Sequence, residues 1–441
     1  MPATPFDSLH LSALFSAGDT TRLFSDSAEI RAMMLVQGSL ALAQGEAGVI
    51  PLDSAKALHR ASLELQIDPV GLAESCGQNG VTIPGLVAAF RKNLQAPEHG
   101  QYLHWGATSQ DIQDTGLMLR MRSAFGHMET ALTAILTDLA TLAETHADTP
   151  MAARSYGQHA TPTSFGAVVA SWGWPLLDAL KGLDDLKRDT LLVSLSGAAG
   201  TASVLGPDPA ALRAALAEKL GLNDPARSWH SDRSPILKQV QWMDRTCTAL
   251  GKFGEDLVLA TQSGVGEVIL GGSGGSSTMP QKQNPVGPSV LVALARHVNG
   301  LSSTLHGAGL HQNQRDGAAW FTEWLTFPQL VQSTAAALAH GRKLAQGLSP
   351  NQQAMQDALD KTGGLILAEA LSFALAAKMP RPEAQAETKA LCMSARDTGT
   401  SLRALAQTAH PDLADALFDT GKQMGSAPQE ARNFAQAAKT L

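Results

Sequence analysis

A glycine- and serine-rich tract, GGSGGSSTMPQKQNP at residues 271–285, ends in a lysine and an asparagine that run into a proline. Proline in the first turn of a helix is preorganised, and the unpaired N–H groups of that turn favour an anion. Lys282 and Asn284 therefore stand at a helix start, beside a loop carrying Ser276, Ser277 and Met279. A flexible linker explains the first half of the tract, as it does most Gly/Ser runs, but not the second. The tract lacks the Lys-Ser/Thr ending of a phosphate loop. Three further segments carry candidate chemistry. HWGATSQD at residues 104–111 places His104, Thr108, Ser109 and Gln110 where a helix begins. Hydroxyls and free N–H groups there can hold a carboxylate, and the plain alternative is capping, with Thr108 as N-cap and Asp111 three residues on. ARSYGQHATPT at residues 153–163 offers Arg154 as a two-pronged carboxylate partner. His159 in the same segment is either a proton carrier or a hydrogen-bonded structural histidine. NQRD at residues 313–316 adds Arg315, followed by Trp320 and Trp324; taken alone, such an arginine is most often a surface ion-pair partner.

Groups of this kind at helix ends need long helices to carry them. Across residues 111–145 the apolar positions Leu117, Met121, Phe125, Met128, Leu132, Leu136, Leu139 and Leu142 recur at steps of three and four. That spacing predicts one helix of about nine turns with a continuous buried stripe. A second stripe runs Ile236, Val240, Met243, Cys247, Leu250, Phe253, Leu257. A third runs from Phe165 through Trp172, Leu176, Leu180 and Leu183, with a bend expected at Pro175. Residues 286–306 and 319–348 read as two more helices, the latter containing Pro328. Long helices with such stripes bury them against each other, so the expected fold class is all-α with a central long-helix bundle. Shorter helices broken by prolines flank it, giving an expected division into residues 1–105, 106–348 and 349–441. Strand content is expected to be minor, with residues 191–195 as the best candidate.

Composition narrows the functional classes. Charged residues make up 17% of the 441, and 44% are hydrophobic. Such a low charge fraction suggests that much of the surface is covered, most simply by copies of the chain. A net charge of −7 argues against a nucleic-acid partner. No apolar run is long enough for a membrane span, and the first eighteen residues do not read as a signal peptide, so the reading is a cytoplasmic protein. Three widely spaced cysteines, Cys76, Cys247 and Cys392, read as small core residues and not as a disulfide frame or a metal cluster.

The loop at residues 271–285 matches the GSSxMPxKxNP signature of the fumarase/aspartase superfamily. The segments at residues 104–115 and 153–166 resemble its adenylosuccinate lyase branch. Asn284 to Gly287, Arg315 with the Trp320/Trp324 pair, and the GGLILAEA run at residues 363–370 are most similar to the bacterial carboxymuconate cycloisomerases within that branch. The resemblance covers residues 25–382. It implies three mostly helical domains with a central five-helix bundle, and a homotetramer with a twenty-helix core. Each active site would be shared among three subunits.

The resemblance also implies a reaction: addition of a nucleophile to, or its elimination from, the carbon β to a carboxylate of a small polycarboxylate. In the cycloisomerases the nucleophile is another carboxylate of the same muconate, and the product is a lactone formed during protocatechuate breakdown. No cofactor and no metal are expected, since ring closure holds the reactants together covalently. Ser276 falls on the proton carrier by resemblance, and Lys282, Asn284 and the loop N–H groups are candidates to stabilise the enolate-like intermediate. Tyr156 and Arg315 complete the candidate catalytic set. His104, Thr108, Ser109, Gln110, Arg154, His159, Ser277, Met279 and Asn284 make up the candidate substrate-binding set. Lyases of the superfamily usually carry His where this chain has Tyr156, and an orienting Glu where it has Ser289. Losing both removes the usual acid for a departing amine, and a carboxylate leaving group needs no such acid. Asp232, Gln314 and Phe321 depart from the cycloisomerase pattern. A polycarboxylate lyase of the adenylosuccinate type and a non-catalytic structural relative are the competing readings, although a dead scaffold would not need Ser276, Lys282 and Asn284.

Overall fold

The computed structural model describes residues 4–272, 274–275, 278–279 and 281–440. Ser276 and Ser277 lie outside the described residues. The elements that matter for the candidate residues are, in chain order, α1 (Asp26–Glu46), α2 (Leu52–Glu64), α3 (Ser109–Thr145), β1 (Pro150–Ser155), β2 (Gln158–Ser164), α4 (Phe165–Lys181), α5 (Ser234–Ala260), β3 (Val268–Ile269), α6 (Val286–Ala308), α7 (Gly317–Gly347) and β4 (Ser349–Pro350). The fold is all-α, with two small two-stranded sheets, β1–β2 and β3–β4, both antiparallel. Among the described residues no helix is long and apolar enough to cross a membrane.

The chain divides into two compact units. The first comprises Met1–Ala131, Ala179–Thr248 and Leu294–Ala339; the second comprises Leu132–Asp178, Ala249–Ala293 and His340–Leu441. The helices α3, α5, α6 and α7 each lend one stretch to each unit.

In the first unit α1 begins at Ser25, whose hydroxyl accepts from the Ala28 N–H. It packs on α2 through small residues. A Cβ on Gly38 would lie 1.9 Å from Ser62 Oγ, and one on Gly45 2.3 Å from Ala55 Cβ, so glycine permits the close approach. The expected stripes of α3 and α5 are buried here as Met121, Phe125 and Met128, and as Ile236, Val240, Met243 and Cys247. Phe125 meets Trp242 edge to face at 5.6 Å. Residues 191–195 do not form the expected strand. They make one isolated bridge, Leu192 with Asn223, because side chains satisfy the next backbone groups. Thr115 Oγ1 accepts from the Ser194 N–H at 2.8 Å and donates to the Ser194 carbonyl at 3.1 Å, and Trp229 Nε1 donates to the Val193 carbonyl.

In the second unit Leu132, Leu136 and Leu139 of α3 are buried, as are Leu250, Phe253 and Leu257 of α5. Trp172 of α4 packs on Phe253 at 5.0 Å and donates Nε1–H to Asp256 at 2.7 Å. Pro175 lies inside α4, but the stripe expected to continue to Leu183 is interrupted. The helix ends at Lys181, and a separate helix, Leu183–Thr190, starts after Gly182. The C-terminal helices enclose a cluster of their own, including Leu371, Leu375, Ala384, Leu402 and Ala406.

The seat of α4 is set by Gly166. A Cβ there would lie 2.4 Å from the Ala143 carbonyl oxygen and 2.8 Å from both Ala147 Cα and the His146 oxygen. Backbone cannot move aside as a side-chain tip can. Gly166→Ala is therefore expected to cost about 1–3 kcal/mol, the usual range for overpacking. Urea unfolding measures it, and an unchanged midpoint would show that this junction is not tightly seated.

Candidate active site

The start of α3 puts two carboxylates three residues apart, and both are buried in the first unit. Asp111 is a hub. Its Oδ1 accepts from His230 Nε2 (2.8 Å), the Ser196 N–H (2.9 Å) and Ser194 Oγ (3.3 Å). Its Oδ2 accepts from the N–H groups of Thr108 and Gly197, both at 3.0 Å. The capping reading of this segment thus holds in its reciprocal half, in which the residue three places on reaches back to the cap N–H. Since Asp111 only accepts, His230 carries its donated proton on Nε2. One turn on, Asp114 meets the buried Arg233, with Nη1–Oδ2 at 2.7 Å and Nη2–Oδ1 at 3.2 Å. The same guanidinium takes Glu323 of α7 in a two-pronged pair, Nε–Oε1 at 2.8 Å and Nη2–Oε2 at 2.7 Å. Burial pushes the Arg233 pKa down, but the two carboxylates outweigh it and hold it above its ordinary value.

The candidate residues of this unit surround that network. Gln110 is buried, and its amide is committed to the protein: Nε2 donates to Asp114 (3.2 Å) and to the His230 carbonyl (2.9 Å), and Oε1 accepts from Arg315 Nε at 2.9 Å. Arg315 is therefore no lone surface arginine; its Nη2 also donates to the Ala198 carbonyl at 3.2 Å. Thr108 and Ser109 are half-buried at the helix start. His104 stands just before it with a left-handed backbone (φ 65°), and its Nδ1 accepts from Gln37 Nε2 at 2.9 Å. Asp232, one of the departures from the cycloisomerase pattern, accepts from the Ser234 N–H at the start of α5 and pairs with Arg227.

The remaining candidates belong to the second unit. β1 and β2 form a hairpin whose two turn residues, Tyr156 (φ 52°) and Gly157 (φ 73°), both lie in the left-handed region. Glycine is at home there; a tyrosine is a strained choice, and Tyr156 is fully exposed. The sequence reading missed this hairpin. Its one local signal was Gly157 within an SYGQ turn, without the Asn-Gly or Asp-Gly pair that marks such turns most clearly. Arg154 and His159 face each other in its register. The fork of Arg154 is already filled: Nη1 and Nη2 bind Glu267 at 2.7 and 2.8 Å, and Glu267 is buried. The carboxylate it takes is the protein's own, where the sequence had offered it to substrate. Arg154 and Glu267 line a cavity of about 1190 Å³ with Phe165, Trp172, Ile366 and Phe373; Lys282 and Asn284 are not among its lining residues.

Glu267 also anchors the root of the signature loop. Its carbonyl accepts from the Asn351 N–H at 2.8 Å, and β3 then pairs with β4. The loop closes on itself where Gly274 and Asn284 exchange both backbone bonds, at 3.0 and 2.8 Å. Within the closed stretch the Lys282 N–H donates to the Met279 carbonyl at 3.0 Å, and Lys282 is exposed. Ser289, in the first turn of α6, donates back to the Pro285 carbonyl at 2.8 Å.

Residues 34–300, more than half of the chain, match the model of a lyase family. The chain belongs to that family. It is 36% identical to a 3-carboxy-cis,cis-muconate cycloisomerase of Pseudomonas aeruginosa, over 94% of this chain and 93% of the relative. A nitrosuccinate lyase of Streptomyces davaonensis is 32% identical over 97% of this chain and 94% of its own. Among solved structures, the 3-carboxy-cis,cis-muconate lactonizing enzyme of Pseudomonas putida aligns with a TM-score of 0.91 at 32% identity, covering 97% of this chain and 98% of that one. The family match takes in α3, the hairpin and the signature loop, while Arg315 lies beyond it.

Burial lowers the His104 pKa to about 4, opposed by Asp111 and assisted by Arg91, against 6.5 for an unhindered imidazole. Between those values the unfolded chain binds a proton that the folded protein refuses. Folding stability from this group is complete above pH 6.5 and is lost as pH falls towards 4. His104→Asn, a residue that tolerates the left-handed backbone, removes this component. The wild-type melting temperature should drop more steeply than the variant's across that window; parallel curves would remove His104 from the acid response.

Proposed function

We propose that this protein is a 3-carboxy-cis,cis-muconate cycloisomerase, closing the muconate to 4-carboxymuconolactone in protocatechuate breakdown. The near full-length likeness to relatives of that name carries the reading. Tyr156 and Ser289, standing where the superfamily usually has its acid and that acid's partner, support it over amine elimination. One carboxylate oxygen of the muconate attacks the alkene carbon β to another carboxylate. A C–O bond forms, and the π pair moves onto that second carboxylate as an enolate-like dianion. A proton then adds at the α-carbon, and no net oxidation occurs. Extra charge on a carboxylate that is already anionic is the main barrier, so cations and N–H donors fixed in place beforehand matter most. Lys282 and Asn284 take that role, Ser276 delivers the proton, and Arg315 holds a carboxylate. His104, Thr108, Ser109, His159, Ser277 and Met279 line the substrate. The reading extends to a cytoplasmic homotetramer with a twenty-helix core, its sites shared among three subunits.

Purified protein incubated with 3-carboxy-cis,cis-muconate should lose the diene absorbance and give lactone signals by NMR. Adenylosuccinate should yield no fumarate; fumarate without lactone would make the protein a β-elimination lyase. Lys282→Met should lower kcat at least a hundredfold with a much smaller change in KM, since the charge it meets develops in the transition state. A raised KM with kcat intact would make Lys282 a substrate anchor only.

Tyr156→Asn addresses the strained hairpin tip. Asparagine accepts a left-handed backbone more readily, so the melting temperature should hold or rise while turnover falls at least tenfold. Full activity in this variant would leave the tyrosine without a catalytic part.

A further inference from the structure

The buried amide of Gln110 has an oxygen end and a nitrogen end, and its neighbours decide which way round it stands. At one end lie Asp114 Oδ2 and the His230 carbonyl, 3.2 and 2.9 Å from Nε2. A main-chain carbonyl only accepts. Both oxygens of the Asp114 carboxylate already accept from Arg233, which donates to Glu323 as well. Both neighbours demand a donor, so the NH2 must face them and the oxygen must face Arg315 Nε, 2.9 Å away. Turning the amide over would lose all three bonds and oppose like poles at each.

A guanidinium is planar. Nε and Nη2 share one edge of it, and here Nε donates to Gln110 while Nη2 donates to the Ala198 carbonyl. Two bonds on that edge fix the plane. The opposite edge, made by Nη1 and the second Nη2 hydrogen, has the geometry of a two-pronged carboxylate partner. Nη1 bonds no described residue.

We infer that Gln110 is a positioning residue, turned by Asp114 and the buried Arg233, that fixes which edge of Arg315 is offered to a substrate carboxylate. The inference rests on the role given to Arg315 in the proposed function. It reassigns Gln110 from touching substrate to acting through Arg315, because every polar atom of its side chain is spent inside the protein.

Two readouts test it, one of them free of substrate. With 15N-arginine labelling, the Arg315 Nε–H is the resonance missing from Arg315→Met. It should exchange with solvent at least about tenfold more slowly than an arginine in an unstructured peptide. That protection should vanish in Gln110→Met, which offers Arg315 no acceptor. Exchange as fast as the peptide in the wild type, which needs no variant to fold, overturns the inference. In turnover, Gln110→Met should lower kcat/KM at least tenfold when Arg315 is present, and by less than about twofold in an Arg315→Met background. Losses that multiply across the two backgrounds would mean that Gln110 acts on substrate directly, and they too overturn it. If the wild type does not convert the muconate, the proposed function fails, while the exchange measurement still decides the role of Gln110.

Discussion

A guanidinium buried between two carboxylates cannot shift without stranding a charge, and Arg233 is such a group. It ties Asp114 of α3 to Glu323 of α7, and the adjoining Asp111 gathers donors from residues 108, 194, 196, 197 and 230. Removing one member of a buried pair typically costs about 3–5 kcal/mol, far more than an exposed pair contributes. The value of the network lies in what it fixes. Four separated stretches of chain meet around one helix turn, and each of these bonds constrains the others. The helix start itself favours the Asp111 carboxylate through its unpaired N–H groups.

The second unit uses a smaller version of the same device. Arg154 and Glu267 join the hairpin to the root of the signature loop through two short parallel bonds. The loop, closed by the Gly274–Asn284 exchange, therefore leaves a fixed strand and returns to a fixed helix start. Tyr156 is a bulky residue in a backbone region that favours glycine, at a tip exposed on all sides.

These arrangements differ in how far the chain announces them. The stripes of α3 and α5 were legible because burial on one face of a helix imposes steps of three and four, and the residues so marked are buried; only Leu117 and Leu142, at the two ends of the α3 stripe, are half-exposed. The helix starts at Ser109 and Val286 followed from capping and proline chemistry within a few residues. The hairpin was not legible, because its turn uses Tyr-Gly and its short strands are continued by a helix.

What the sequence determined by itself was the class of fold and an inventory of candidate groups: an all-α chain with Lys282, Asn284 and Arg315 just before the starts of long helices and Arg154 in the stretch between two of them. Periodicity and capping are local, so they can be read from neighbours along the chain. Tertiary structure alone decided what those groups do to one another. Arg154 meets Glu267 across 113 positions, Arg315 meets Gln110 across 205, and Arg233 reaches Asp114 across 119. A hydrogen-bonding side chain has several possible partners and no preference recorded in its own sequence. Burial removes water as the default partner, and the fold then dictates which protein group must take its place.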